Sequence, residues 1–145
     1  NGNTVTQTGD GTLLINNSFN TGSGTIVNSG GVLGGGGSIG GDFQNSGGTV
    51  APGNSPGTLT VDGNYNQGSG GTLAIEIGGT QPGVEHDVLN VLSDASLAGT
   101  LSVSLIDGFT PGGGNTFKVL TATGELGSEM SISCTPALTP LATIA

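Results

Sequence analysis

Positive charge is almost absent from this chain: Lys118 is its one basic residue against ten acids, for a net charge of −9. Phosphate backbones are bound by clustered Lys and Arg, so nucleic acid is excluded as a partner. A polybasic membrane patch is excluded for the same reason. So few basic residues also leave few trypsin sites, which suits life outside a cell. Cys134 is the lone cysteine, so no internal disulfide and no cysteine-based metal cluster can form. Tryptophan is missing, aromatics are 3% and apolar residues 32%, too little to fill a globular core of ordinary thickness. No apolar run is long enough to span a membrane. The start, Asn1-Gly2-Asn3-Thr4, has neither the basic nor the apolar segment of a signal peptide, as expected if a signal has been removed or the sequence is a piece of a longer one.

Glycine fills the gap, with 31 residues of 145 but no Gly-X-Y period, so collagen is excluded. Acidic, glycine-rich composition also occurs in disordered chains. Against disorder, Leu, Ile and Val alternate with Thr, Ser and Asn in many short runs, and the mean hydropathy is +0.11. Gly-Thr followed by Leu, Ile or Val occurs six times, opening at Gly11, Gly24, Gly48, Gly57, Gly71 and Gly99. Gly24, Gly48, Gly71 and Gly99 form a ladder with steps of 24, 23 and 28 residues. A short strand returning at such a period predicts an all-β solenoid, whose core is a thin column of small aliphatic residues covered coil by coil.

Three regions are expected. Residues 1–83 read as glycine-rich coils with Asn-Ser-Gly-Gly turns at Asn28–Gly31 and Asn45–Gly48, and stacked Thr or Asn ladders are expected to satisfy one another between coils. The thin stretch 30–41 reads as tight corners around Val32, Leu33 and Ile39. Residues 84–127 carry longer strands and Phe109 and Phe117, as in a thickening cap. There, Thr100–Ile106 and Phe117–Thr121, joined through the turn at Pro111–Asn115, are expected to be neighbours. Residues 128–145 read as a strand or arm, possible between subunits.

The run Gly47-Gly48-Thr49-Val50-Ala51-Pro52-Gly53-Asn54-Ser55-Pro56-Gly57-Thr58-Leu59-Thr60-Val61 resembles the PGNSPGTL segment of autotransporter-type passenger β-helix repeats, found in large bacterial surface proteins. The likeness extends over about residues 22–121. It implies a right-handed parallel β-helix, secreted to or beyond a bacterial envelope. Such proteins are usually far longer and end in a membrane barrel, whose aromatic-girdled strands have no counterpart here. Read for itself, Pro52 and Pro56 fix two bends, Gly53 and Gly57 free the backbone beside them, and Asn54 and Ser55 bond nearby amides. That makes a stiff structural loop delivering Thr58–Val61; sugar or ion binding is the sharper alternative.

Catalytic signals are thin. Glu85-His86-Asp87 holds the chain's one histidine, and a turn leading into Val88–Leu92 explains it better than acid–base chemistry or a metal. Asp62 with Glu76 or Asp87 would be the acid pair of a polysaccharide-active β-helix. One lysine and no arginine starve a lyase of its counter-charge. Asp42, Asp62, Asp94 and Asp107 are calcium candidates without the GGxGxD repeat. Lys118 reads as a polar position on a strand rather than a crosslink.

The sequence therefore predicts a non-enzymatic β-solenoid of about five coils, with no cofactor, no metal and no membrane span. Short solenoids expose strand edges at both ends. The expected partner is another copy, stacked head to tail into an extracellular filament. Thr4, Val5 and Thr6 are candidate contacts at one end, and Ile132, Cys134, Leu138 and Leu141 at the other. A cell-surface or polysaccharide ligand is a further possible partner. The alternatives are a fragment of a long surface adhesin and, behind it, the polysaccharide-active enzyme.

Overall fold

The computed structural model describes residues 3–112, 115–128, 131–135 and 143–144. These form a parallel β-helix with three sheets. The first coil is β1 (Val5–Gln7), β2 (Thr12–Leu14) and β3 (Ser18–Phe19). The second is β4 (Thr25–Asn28), β5 (Val32–Gly35) and β6 (Ser38–Ile39), and the third β7 (Asp42–Asn45), β8 (Thr49–Pro52) and β9 (Thr58–Val61). The fourth is β10 (Tyr65–Gln67), β11 (Thr72–Ile77) and β12 (Val88–Val91). The fifth is β13 (Ala95–Leu97), β14 (Thr100–Leu105), β15 (Thr116–Phe117) and β16 (Leu120–Ala122); β17 (Leu126–Ser128) and β18 (Ser131–Thr135) begin a sixth, and β19 (Thr143–Ile144) pairs with β15.

Sheet A stacks β1-β4-β7-β10-β13-β17, sheet B β2-β5-β8-β11-β14-β18 and sheet C β3-β6-β9-β12-β16, every pair parallel. Parallel strands fit this sequence because each is only two to six residues long and alternates an inward aliphatic with an outward small or polar residue. The inward residues align as columns: Val5, Ile26, Phe43, Tyr65, Ala95 and Leu126 in sheet A; Leu13, Leu33, Val50, Leu73 and Leu101 in sheet B; Phe19, Ile39, Val61, Val91 and Ala122 in sheet C. Interior members of these columns, Ile26 to Tyr65 and Leu33 to Leu73 among them, are at most 1% exposed, and aromatic stacking joins Phe43 to Tyr65 at 5.3 Å.

From the second coil on, the coils widen. Leu13 to Leu33 takes 20 residues and Leu33 to Val50 takes 17, whereas Val50 to Leu73 takes 23 and Leu73 to Leu101 takes 28. The growth sits between sheets B and C, in the segments 78–87 and 106–119. There Phe109 packs edge-on against the buried Phe117 at 5.9 Å. In the thin stretch, Leu33 and Ile39 are fully buried, as expected of a narrow coil, whereas Val32, next to Leu33 on β5, is only half-buried.

Two expectations fail. Thr49, Thr72 and Thr100 do lie in one register, but Thr25 belongs to sheet A, where it pairs with Asp42, so the step from Gly24 to Gly48 is not a coil repeat. Gly-Thr marks the opening of a strand in any of the three sheets, and sequence alone does not say which. Nor are Thr100–Ile106 and Phe117–Thr121 neighbours: β14 lies between β11 and β18, while β16 pairs with β12. A turn between two strands suggests a hairpin, but a solenoid sends the second strand to the next sheet instead.

Candidate functional site

At the corner from sheet A to sheet B, four amides form an internal column: Gln7, Asn28, Asn45 and Gln67. Each hands its NH2 to the carbonyl of the first residue of the sheet B strand one coil on. Gln7 Nε2 donates to Val32 O at 3.0 Å, Asn28 Nδ2 to Thr49 O at 3.1 Å, Asn45 Nδ2 to Thr72 O at 3.2 Å and Gln67 Nε2 to Thr100 O at 3.3 Å. Asn45 Oδ1 accepts from Asn28 Nδ2 and from the Gly48 N–H. Tyr65 donates its hydroxyl to Gln67 Oε1 at 2.7 Å, and burial pushes that phenol above its usual range. The column explains the glycine before two of the sheet B strands: a Cβ at Gly48 would lie 2.5 Å from Asn28 Nδ2, and one at Gly71 would lie 2.9 Å from Asn45 Nδ2. The expected Asn ladder is thus present, extended by two glutamines. The strands bearing Asn45 and Gln67 (Asp-Phe-Gln-Asn and Tyr-Asn-Gln) are too polar to stand out in the sequence.

The corner from sheet C to sheet A carries a second ladder. Asp42 Oδ1 accepts from Asn64 N at 2.8 Å, Asn64 Oδ1 from Asp94 N at 3.1 Å, and Asp94 Oδ1 from Glu125 N at 2.8 Å. This gives two calcium candidates, Asp42 and Asp94, a structural role. Asp62 is exposed, and Asp107 occupies a left-handed turn position. Among the described residues no group of three or more His, Cys, Asp or Glu is placed to hold a metal.

The Pro52–Gly57 loop crosses from sheet B to sheet C over an open groove of about 380 Å³, whose lining includes Leu14, Gly34, Ala51, Ala74, Ser55, Glu76 and Asp87. Ser55, at φ 64°, donates its hydroxyl to Glu76 Oε1. Asp87 accepts from Gly57 N at 3.0 Å and from Glu76 N at 2.8 Å, tying the loop to β11 and β12. Asp87 is 2% exposed, and burial pushes its carboxyl up to about 6, opposed by those two N–H donors. The loop is therefore clamped, as its prolines and glycines suggest. Of the acids considered for hydrolysis, Glu76 and Asp87 meet here, and Asp62 lies elsewhere, after β9.

His86 is fully buried in the turn before β12, as the turn reading expects, and it does more than turn the chain. Its Nδ1 lies 3.2 Å from Gly79 O, its Nε2 lies 3.2 Å from Lys118 O, and its ring stands edge-on to Phe117. It pins the widened part of coil four to coil five. Glu85 closes the same loop by accepting from Thr80 N and Gln81 N. Lys118 is exposed between the buried Phe117 and Val119, but it lies in the break between β15 and β16 rather than on the expected strand, since Phe117–Thr121 is not one unbroken strand.

The remaining candidates lie at the coil ends. Val5 and Thr6 are on β1, the outer strand of sheet A, preceded by Thr4; Ile132 and Cys134 are on β18, the outer strand of sheet B at the opposite end. Leu138 and Leu141 lie outside the described residues. Large apolar side chains are exposed at both ends: Leu14 and Phe19 in the first coil, and Leu126 in β17. No family model, no curated protein and no solved structure matches this chain.

Proposed function

We propose that this chain is a non-enzymatic structural protein whose β-helix stacks head to tail into an extracellular filament or matrix fibre. The observation that carries this reading is the pair of open ends: β1, β2 and β3 at one, β16, β17 and β18 at the other, each with a neighbour on one side only among the described residues. Unpaired N–H and C=O groups on such edges are templates for further strands. All strands run in the same direction, so one end is a continuation of the other, and a contact of that kind does not close on itself. The extracellular setting rests on the resemblance of the Pro52–Gly57 segment to passenger repeats and on the scarcity of Lys and Arg. Negative-stain microscopy and sedimentation of the purified chain test the reading. Rods that lengthen with concentration are expected, and a strictly monomeric particle at high concentration sinks it.

The same edges also suit a chain read as part of a long surface adhesin, with flanking coils in place of further copies. A much longer open reading frame favours that version. The groove beside Glu76 and Asp87 is what favours a polysaccharide-active reading. Turnover of an acidic polysaccharide by the native chain, lost in Asp87→Asn, would establish it.

A further inference from the structure

The first coil carries a fitting that no described residue of its own chain uses. Gly11, Gly48, Gly71 and Gly99 each open a Gly-Thr pair on sheet B. At three of them a Cβ would strike the coil beneath: Asn28 Nδ2 at 2.5 Å from Gly48, Asn45 O at 2.8 Å from Gly71, and Gly71 O from Gly99. At Gly11 nothing lies within 4 Å, and its backbone is outside the left-handed region. This glycine is therefore present where no described residue of the same chain demands it, at the coil with no described coil beneath.

The same face is concave, and its apolar side chains (Val5, Leu13, Leu14 and Phe19) stand among amides such as Asn3, Asn17 and Asn20. Two clefts of about 250 and 210 Å³ flank Phe19, one lined by Val5 and Thr21, the other by Leu13 and Leu14. At the far end, Leu126 is 53% exposed and stands in the column that begins at Val5. An occupant of the first-coil face must bring two parallel strands in adjoining sheets and an apolar knob in line with Val5. The last coil of this chain brings all three.

We propose that the open face of the first coil is the docking site for the last coil of a second copy in one register, β17 beside β1 and β18 beside β2, with Leu126 over Val5 next to Phe19. This rests on the stacking reading above and adds its face, polarity and register. Gly11 is the contact that lets the two coils close to strand distance.

The test uses the full chain in a Cys134→Ser background, with Val5→Cys, Leu126→Cys and the double variant, mildly oxidised and run on non-reducing gels beside electron microscopy. Parallel neighbours lie ~4.8 Å apart, within disulfide reach. The double variant is expected to give a ladder of covalent oligomers, and an equimolar mixture of the single variants only dimers. Gly11→Ala is expected to keep the native circular dichroism and Tm while raising the concentration needed for assembly about tenfold, the effect of one tight contact. Val5-to-Val5 crosslinks overturn the polarity. Filaments without Val5–Leu126 crosslinks, or Gly11→Ala assembling like the native chain, overturn the register while stacking stands. A chain monomeric at every concentration, the result expected where flanking coils of one longer polypeptide cover this face, overturns both.

Discussion

Asn45 sits in the middle of the amide column, and its side chain serves the Thr72 carbonyl, the Gly48 N–H and the Asn28 amide together. Asn45→Ala strands these groups in the interior and is expected to cost about 2–4 kcal/mol, read from the urea midpoint at constant m. Gly48→Ala drives a methyl group into Asn28 and is expected to cost about 1–3 kcal/mol; a stability within error of the native chain would refute this account of the Gly-Thr pairs. Asp87 titrates in the opposite sense to a salt-bridged acid. Burial raises its folded pKa from 3.8 to about 6, so the folded state holds the proton more tightly than the unfolded one. Its contribution to stability is full below pH 3.8 and is lost as pH rises through about 6. Asp87→Asn is expected to flatten that part of the Tm-against-pH curve, which thermal melts at a series of pH values will show.

At the scale of elements, the segments joining sheet B to sheet C decide the shape. The narrow coils turn there in a few residues, whereas coils four and five insert the segments 78–87 and 106–119, which meet at His86. His86→Ala removes two carbonyl contacts and the packing against Phe117 and is expected to destabilise the chain by about 3 kcal/mol, read by denaturant unfolding. Strands rich in Leu, Ile, Val and Thr, such as β11 and β14, are legible in the sequence because six alternating residues carry their own signal. The sheet A strands β7 and β10 are not, because half of their buried positions are amides that look like turn residues until the next coil supplies carbonyl partners.

For the whole molecule, the net charge of −9 opposes stacking, since each added copy brings like charge to the joint. Raising ionic strength from about 0.01 M to about 0.1 M shortens the screening length from ~30 Å to ~10 Å. Assembly is therefore expected to increase over that range in light scattering, and salt-independent assembly would argue against a joint between two acidic chains. Five complete coils at ~4.8 Å each make a body only about 25 Å long, so length in a fibre has to come from repetition.

The sequence by itself determined the class of fold. Short alternating strands opened by glycine, with too few aromatics for a thick core, leave a thin stacked column as the way to bury Leu, Ile and Val. It also marked Pro52–Gly57 as a stiff loop and His86 as part of a turn. Tertiary structure alone decided which sheet each Gly-Thr opens, because the same tripeptide fits all three and only the strand beneath fixes the assignment. It alone brought Glu76 to Asp87 across the loop of one coil, and it alone brought His86 to the Lys118 carbonyl and aligned Gln7, Asn28, Asn45 and Gln67 in one column, since these last contacts cross coils of unequal length. And it alone distinguished Gly11 from the glycines that share its motif, because what sets it apart is the empty space beneath it.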